Sequence, residues 1–409
     1  MKKTLLLLLS LTFLSGCATY QMGVSSARRQ MQNGNFVQAA ESLKEKAMQP
    51  TKDQLVYLLE YATALQMAGK FKESNQALLL AEDIAEIQDY TSISKEAGSL
   101  LLNEGMVQYK GDPFEKVMIN AMLAINFLMM GDLDASLVET RKLNQMLYLY
   151  KKEGKRPYEQ NEFAHYLAAM IWEQDRKFDD AYIDYEKAYS LNPNLPYIRE
   201  DLIRVAWQSR RMEQYKKWKR EFSEVKFDPK STRSKDGELI VIFQQGWGPR
   251  KQARPENHRF PMLKPVRNRT QVAQVLVNGK PMTETLMAYD VEHASIKTLD
   301  DDYGRLVAKR AAGVVVKAVA ADQIRQQNEG LGDLAWLVMN IADQADLRQW
   351  STLPQTIQVA RIPLKPGEYT VSLEGLYASE GDSTGEVMPP KTITINPRKA
   401  TFVSWRSLQ

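Results

Sequence analysis

The stretch at residues 162–194 constrains the fold of this chain more than any other. It contains two runs of apolar residues at helical spacing, 163–171 and 178–191, separated by the polar residues 174–177. Alanines recur in both runs beside large aromatic residues, and Pro193 closes the second run. Alanines let two helices approach closely while aromatic side chains fill the space around them. The pattern therefore predicts a tightly packed helical hairpin.

Ala181, Tyr185, Ala188 and Pro193 resemble the signature of the tetratricopeptide repeat, a helical pair of about 34 residues. One such pair cannot bury its own apolar face, so stacked copies are expected. The resemblance extends over roughly residues 18–222, and a generic helical array without the tetratricopeptide superhelix is the alternative. The other turns between helices are predicted at Gly34, Gly69, Gly131 and Arg210. The spacing leaves room for an additional helix at 91–109 and a basic insertion at 151–160.

The N-terminus indicates export. The apolar run at 5–14 follows two lysines and is too short to span a membrane, which is typical of a secretory signal peptide. Leu14-Ser15-Gly16-Cys17 resembles a bacterial lipobox. The resemblance implies that Cys17 carries lipid, including palmitate, and becomes the mature N-terminus. Because Ala18 is not aspartate, it also implies sorting to the periplasmic face of the outer membrane. A signal peptide with an accidental cysteine is the alternative.

Length and composition fit a chain of two or three domains. Cys17 is the only cysteine, which excludes an intramolecular disulfide, but 409 residues with 44% hydrophobic content can bury a large core. The net charge is +4, or near +2 once the signal lysines are removed. The predicted parts are a signal peptide at 1–16, a helical-repeat domain at 17–226, a linker at 227–237 and a β-rich domain at 238–409.

The second half changes from helical spacing to alternation. Asn278-Gly279 predicts a hairpin turn, and the acidic run at 300–302 predicts a helix cap. We expect an α+β multidomain protein, with an all-α tetratricopeptide-like array followed by an antiparallel β-sandwich-like domain and an inserted helical pair at about 302–345. The inserted helices are predicted at 303–327 and 331–345, and residues 379–390 as a loop. Strands are predicted at 238–244, 271–277, 280–288, 356–362, 368–377, 391–395 and 400–405.

Residues 346–354 and 357–361 resemble the terminal segment of an uncharacterised family of proteobacterial lipoproteins. Such proteins pair a tetratricopeptide-like half with a C-terminal β region. The family's genes lie near those of lipoprotein activators of peptidoglycan synthases, which implies a link to the cell envelope without a mechanism. The family has no known catalytic residues to carry over.

The chain offers little material for a metal or catalytic site. Its three histidines, His165, His258 and His293, are far apart in sequence, and one lipidated cysteine cannot join them in a cluster. Neither a glycine-rich phosphate loop nor a nucleophile elbow is present. The acids at 300–302 lack the alternation of a calcium-binding loop. We therefore expect no metal, no cofactor and no enzymatic activity.

The stretch at 249–269 is strongly basic, with a local charge of +6 and Glu256 as its one acid. Four prolines predict an irregular loop. It predicts a patch for anionic lipid, anionic glycan or an acidic protein surface, while a solvated loop is the alternative. Nucleic acid is not expected for an exported protein. The basic residues are Arg250, Lys251, Arg254, Arg259, Lys264, Arg267 and Arg269.

These observations favour an envelope adaptor whose helical repeats present a groove to a protein partner. A structural component of an envelope or secretion assembly is one alternative, and an envelope hydrolase using carboxylates of the β domain is another. The groove is predicted on the first helix of each pair. Its predicted lining residues are Tyr57, Tyr61, Asn120, Asn126, His165 and Trp172.

Overall fold

A computed structural model of the chain describes residues 16–99, 108–152, 161–334 and 344–409. The predicted signal sequence, the end of the basic insertion and most of the second inserted helix lie outside the described residues. The side chain of Cys17 also lies outside them, so its lipidation stays a prediction.

The chain divides into two compact units. The first unit comprises residues 1–116, 249–266 and 293–352, and the second comprises the remainder. Each unit combines residues of the predicted helical domain with residues of the predicted β-rich domain. The domain boundaries drawn from the sequence therefore stay a prediction.

The described helices and strands are numbered in chain order. The helices are α1 (Gly16–Gln32), α2 (Phe36–Met48), α3 (Gln54–Met67), α4 (Phe71–Ser99), α5 (Pro113–Met130), α6 (Leu133–Lys152), α7 (Glu162–Gln174), α8 (Phe178–Leu191), α9 (Ile198–Gln208), α10 (Met212–Glu221), α11 (Val291–Asp301) and α12 (Tyr303–Gln327). The strands are β1 (Gly237–Gln245), β2 (Arg250–Ala253), β3 (Pro261–Lys264), β4 (Val272–Val277), β5 (Lys280–Glu284), β6 (Leu286–Asp290), β7 (Thr356–Leu364), β8 (Gly367–Leu376), β9 (Ser383–Ile395) and β10 (Ala400–Arg406).

The helices up to α10 form consecutive hairpins, which confirms the predicted tetratricopeptide-like array. In the first unit, α3 is buried along almost its whole length and packs against both α2 and α4. Its hairpin turn places Gly69 at φ +71°, a left-handed conformation that favours glycine. Ser74 then donates from Oγ to the carbonyl of Ala62 at 2.8 Å. Ser136 makes the equivalent bond to Ala124 at 2.9 Å, so the repeat is visible in its hydrogen bonds as well.

The hairpin predicted most clearly from the sequence lies in the second unit as α7 and α8. Asn161 caps α7 by accepting from the N–H of Ala164 at 3.1 Å. The alanines of both helices are fully buried, as are Tyr166 and Tyr185, whose rings meet at 5.7 Å. The two helices therefore approach closely, and aromatic side chains fill the space around the alanines.

The second unit also contains two four-stranded sheets, ordered β10-β1-β7-β6 and β5-β4-β8-β9. Their facing side chains form one hydrophobic core, in which Val241, Phe243, Val275 and Leu373 are fully buried. The predicted sandwich is thus present, but β1 and β10 pair in parallel. Because β9 belongs to the other sheet, the chain crosses between the sheets after β9 and enters β10 in the direction of β1.

Two local predictions about strands in the second half were wrong. The predicted strand at 280–288 is two strands, β5 and β6, which pair with different neighbours. The predicted loop at 379–390 contains the start of β9. Asp302 occupies the N-cap of α12 as predicted, and its side chain makes no capping hydrogen bond.

Within the described residues, one helix is long and apolar enough to cross a membrane. That helix is α5, and 72% of it is buried inside the protein. A helix buried to this degree fits the core of a globular protein as well as it fits a membrane span.

Candidate functional site

In the first unit, a segment of the chain that forms neither helix nor strand lies against the first helices of the repeats. We call residues 345–352 the inner segment. It is held by residues of α1, α3 and α5 and by the hairpin of β2 and β3. Trp350, Ser351 and Thr352 are each at most 2% exposed.

Two buried carboxylates bind successive backbone N–H groups of the inner segment. The N–H of Trp350 donates to Glu115 Oε1 at 2.6 Å, and the N–H of Ser351 donates to Glu60 Oε1 at 2.7 Å. The Ser351 hydroxyl donates to the same Glu60 oxygen at 2.6 Å, and Tyr20 donates to it at 3.2 Å. Hydrogen bonds to ionised acceptors are among the stronger ones in proteins. The helices therefore bind backbone N–H groups of the segment. Any peptide with free backbone N–H groups could make the same contacts.

Two side chains of the segment supply selective contacts. The indole N–H of Trp350 donates to Thr63 Oγ1 at 2.8 Å. The guanidinium of Arg348 donates to Asp53 at 2.8 Å and lies 5.1 Å from the ring centre of Tyr109. Both anchors are buried, so a segment with other residues at these positions would leave Asp53 or Thr63 without its partner.

Glu115 is electrostatically unusual. Its burial and the nearby Asp112 raise the pKa of its carboxyl to about 7, although Lys251 opposes the shift. Its second oxygen accepts from the Tyr109 hydroxyl at 2.6 Å. Lys251 in turn forms an ion pair with Asp112 at 2.7 Å. The acceptor of the Trp350 N–H is therefore a carboxyl group that titrates close to neutral pH.

The hairpin of β2 and β3 holds the other side of the inner segment. Gln349 donates to the carbonyl of Pro249 at 2.9 Å and accepts from the N–H of Lys251. Lys251 Nζ donates to the carbonyl of Arg348 at 3.2 Å, and Arg250 donates to that of Ser351. Two residues of the predicted basic patch thus bind the chain itself.

In the second unit, Arg361 of β7 occupies a comparable position against α7 and α9. It donates to Asp201 at 2.6 Å and to both oxygens of Glu238 at 2.7 and 2.9 Å. Arg204 joins this cluster through two bonds to Glu173 at 2.7 and 2.8 Å. Burial favours a raised pKa for Glu173, but Arg204 and Arg361 lower it to about 2. Burial raises the pKa of Asp201 despite both arginines.

Two of the predicted groove residues are enclosed within the helical packing. Asn120 and Asn126 are fully buried, and Asn120 donates to Glu139 of the neighbouring helix at 2.9 Å. They cannot contact a partner, because their side chains are enclosed within the helical packing. Tyr57 packs edge-on against Tyr20 with ring centres 5.7 Å apart. Tyr61, at the same end of the array, is 9% exposed.

His165 and Trp172 do come together, through an acid that the sequence did not single out. Asp184 of α8 lies 2.8 Å from His165 Nδ1 and accepts from the indole N–H of Trp172 at 3.1 Å. Arg141 lies over the Trp172 ring at 4.8 Å. These contacts link the first and second helices of the pair and belong to the second unit.

The predicted basic patch is divided between the two units. Residues 250–253 and 261–264 form a paired hairpin instead of an irregular loop, with Pro261 at a strand start, where proline is tolerated. Arg254 pairs with Asp300 at 2.5 Å and lies over the Tyr303 ring at 4.4 Å. Arg259 and Lys264 remain in the first unit, while Arg267 and Arg269 belong to the second. Arg269 donates to the Tyr377 hydroxyl at 2.8 Å.

The pKa values of the described acids bear on the hydrolase alternative. A raised pKa is resolved for Glu115, Glu162 and Asp201, and burial is its main cause in each. All three lie on helices, whereas the hydrolase alternative places its carboxylates in the β domain. The described part of the chain contains no group of three residues suited to a metal ion.

One binding residue of the site has a recognisable pattern in the sequence. Glu60 is a lone carboxylate within the apolar run of α3, where a buried charge requires a partner. Its partner is Ser351, which lies 291 residues further along the chain. A local pattern could have identified Glu60 as a binding residue but could not have identified what it binds.

No protein-family model and no curated protein matches the sequence. Solved structures align with half of it at low similarity. A tetratricopeptide repeat protein from Parabacteroides merdae is 14% identical with a TM-score of 0.34, over 51% of this chain and 67% of that chain. MamA from Desulfovibrio magneticus is 13% identical with a TM-score of 0.33, over 50% and 91%. Repeats of a putative kinesin light chain from Podospora anserina are 15% identical with a TM-score of 0.32, over 50% and 96%.

Proposed function

We propose that this protein is a non-enzymatic adaptor of the cell envelope that binds an extended segment of a partner protein on its helical repeats. The supporting observation is the way α1, α3 and α5 hold the inner segment. Glu60 and Glu115 bind backbone N–H groups, while Thr63 and Asp53 bind an aromatic and a cationic side chain. This is how a repeat surface recognises a peptide, and a partner offering the same groups would replace the inner segment.

The adaptor is anchored by lipid at Cys17, on the periplasmic face of the outer membrane. α1 begins at Gly16, so the proposed anchor leads directly into the helix that contributes Tyr20 to the site. The link to peptidoglycan synthesis rests on the resemblance to the lipoprotein family alone. A role as a structural component of an envelope assembly would instead give a stoichiometric complex on gentle extraction.

Crosslinking in cells tests the binding surface. A photo-crosslinking residue at position 52 lies beside the inner segment, because the Lys52 carbonyl accepts from Arg348 at 3.3 Å. The same residue at the exposed position 72 of α4 is the control. Loosening the inner segment with Trp350→Ala should increase capture of the partner from position 52 and leave position 72 unchanged. Equal capture from both positions, or no response to Trp350→Ala, would contradict the proposed surface.

Fractionation tests the anchor separately. Cys17→Ser removes the lipid attachment and should move the protein from the membrane fraction to the soluble periplasmic fraction. Retention in the membrane fraction would refute the anchor. It would leave the peptide-binding surface untouched, because the crosslinking result does not depend on lipid.

A further inference from the structure

A cavity of about 530 Å³ lies in the first unit between α1, β2 and the inner segment. Its lining contains four cationic side chains and four glutamines, and no acidic residue. Cavities that bind small ligands have volumes of this order. The cationic residues are Arg28 and Arg29 of α1 and Arg250 and Lys251 of β2.

The positive charge of this cavity is only partly balanced. Lys251 is neutralised by Asp112 at 2.7 Å. Burial and the nearby Arg28 together lower the pKa of Arg250 to about 10, against the opposing effect of Glu60. Arg28 donates to the neutral amide of Gln21 at 3.3 Å. Within the described contacts neither Arg28 nor Arg29 forms an ion pair, so the cavity retains an excess of positive charge.

We propose that this cavity binds a phosphate group. Two unneutralised arginines match an anion of about two charges, and the planar guanidinium binds phosphate oxygens in pairs. The glutamines offer further donors and acceptors for hydroxyl groups around the phosphate. Chloride or a single carboxylate would leave part of this charge unmatched.

The phosphate belongs to the headgroup of a membrane lipid, an assignment that rests on the proposed anchoring at Cys17. An α-helix rises about 1.5 Å per residue, so Gln21 lies roughly 6 Å and Arg28 roughly 16 Å from Cys17 along α1. The headgroup layer of one leaflet is about 5–7 Å thick. A lipid anchor at Cys17 would therefore hold Gln21 at the depth of the phosphate headgroups. Arg28 and Arg29 would reach the same layer with α1 lying along the membrane surface.

Binding assays distinguish the two sources of phosphate. The full chain carrying Cys17→Ser is titrated with inorganic phosphate, and separately with vesicles of phosphatidylcholine with or without phosphatidic acid. The test variant is Arg28→Ala/Arg29→Ala. The control is Lys44→Ala/Lys72→Ala, which removes the same charge from exposed positions of the same unit. Arg28→Gln/Arg29→Gln repeats the test with longer side chains, and thermal unfolding verifies that each variant is folded.

We expect tighter binding to phosphatidic acid vesicles than to phosphatidylcholine alone, weakened about tenfold or more by Arg28→Ala/Arg29→Ala and little affected by the control. Inorganic phosphate should compete for the same site. Binding of inorganic phosphate without any preference for the vesicles would overturn the lipid assignment alone. Equal binding by the test and control variants, or no binding of either probe, would overturn the phosphate site and leave the adaptor proposal standing.

Discussion

Replacing Trp350 with alanine should weaken the packing of the inner segment against the helices of the first unit. Truncating a buried tryptophan costs about 3–5 kcal/mol, and loss of the indole hydrogen bond to Thr63 adds about 1 kcal/mol. Thr63 keeps its own bond to the carbonyl of Leu59 at 3.0 Å, so no buried donor is left unpaired there. The interface should therefore lose about 4–6 kcal/mol.

This loss should appear as local opening before the whole chain unfolds. A chain with two compact units does not unfold in one step, and segments open with their own free energies. Once the Trp350 side chain is gone, the N–H groups bound by Glu60 and Glu115 are exposed whenever the segment opens. At about 1.4 kcal/mol per tenfold change, their hydrogen exchange should accelerate by roughly three to four orders of magnitude.

Hydrogen–deuterium exchange followed by mass spectrometry measures this directly. Trp247→Ala is the matched control, because Trp247 is also buried, donates its indole N–H to a carbonyl at 2.8 Å, and lies in the second unit. Peptides covering the inner segment should exchange faster in Trp350→Ala and not in Trp247→Ala. Unchanged protection of the inner segment in Trp350→Ala would refute the view that the tryptophan anchors it.

Two further predictions concern buried charge. Arg361→Gln removes one of the two cations paired with the buried Asp201 and also the partner of Glu238. This should cost about 3–5 kcal/mol, seen as a lower urea midpoint for the second unit. Arg199→Gln, which removes an exposed ion pair, should leave that midpoint unchanged. Glu115 has a folded pKa of about 7 against an ordinary 4.5, so the folded state keeps a proton that the unfolded state has released. Stability of the first unit should therefore fall as pH rises from about 4.5 to about 7 and level off above it. Glu115→Gln should abolish this dependence of stability on pH. If the dependence persists in the variant, another group causes it.

The helical half could be predicted because its signals are local. Glycine turns, apolar spacing and the alanine positions of α7 and α8 all lie within one hairpin, and they define its ends almost to the residue. The pairing of β1 with β10 could not be predicted, because it joins residues about 160 positions apart. Gly385 and the two prolines at the start of β9 are typical of a loop, but β9 tolerates them as the edge strand of its sheet.

The binding residues were harder to predict than the fold. Helical spacing identifies the buried side of α5, but it does not separate side chains that meet the neighbouring helix from those that face a ligand. Asn120 has the spacing expected of a groove residue, but its side chain donates to Glu139 of the neighbouring helix. The basic stretch at 249–269 was identified by charge alone, and charge does not show that Lys251 is already paired with Asp112.

Buried acids on the first helices define the chemistry that a partner must bring. In the first unit Glu60 and Glu115 are at most 1% exposed, and in the second Asp201 is fully buried. A carboxylate in such a position is costly unless donors or cations satisfy it. Backbone N–H groups of the inner segment do so in one unit, and Arg204 and Arg361 do so in the other. A partner that replaces the inner segment must therefore supply free backbone N–H groups for Glu60 and Glu115 and a cationic side chain for Asp53. An acidic segment, or a helical one whose N–H groups are already bonded, would leave these acids without the donors that the inner segment supplies.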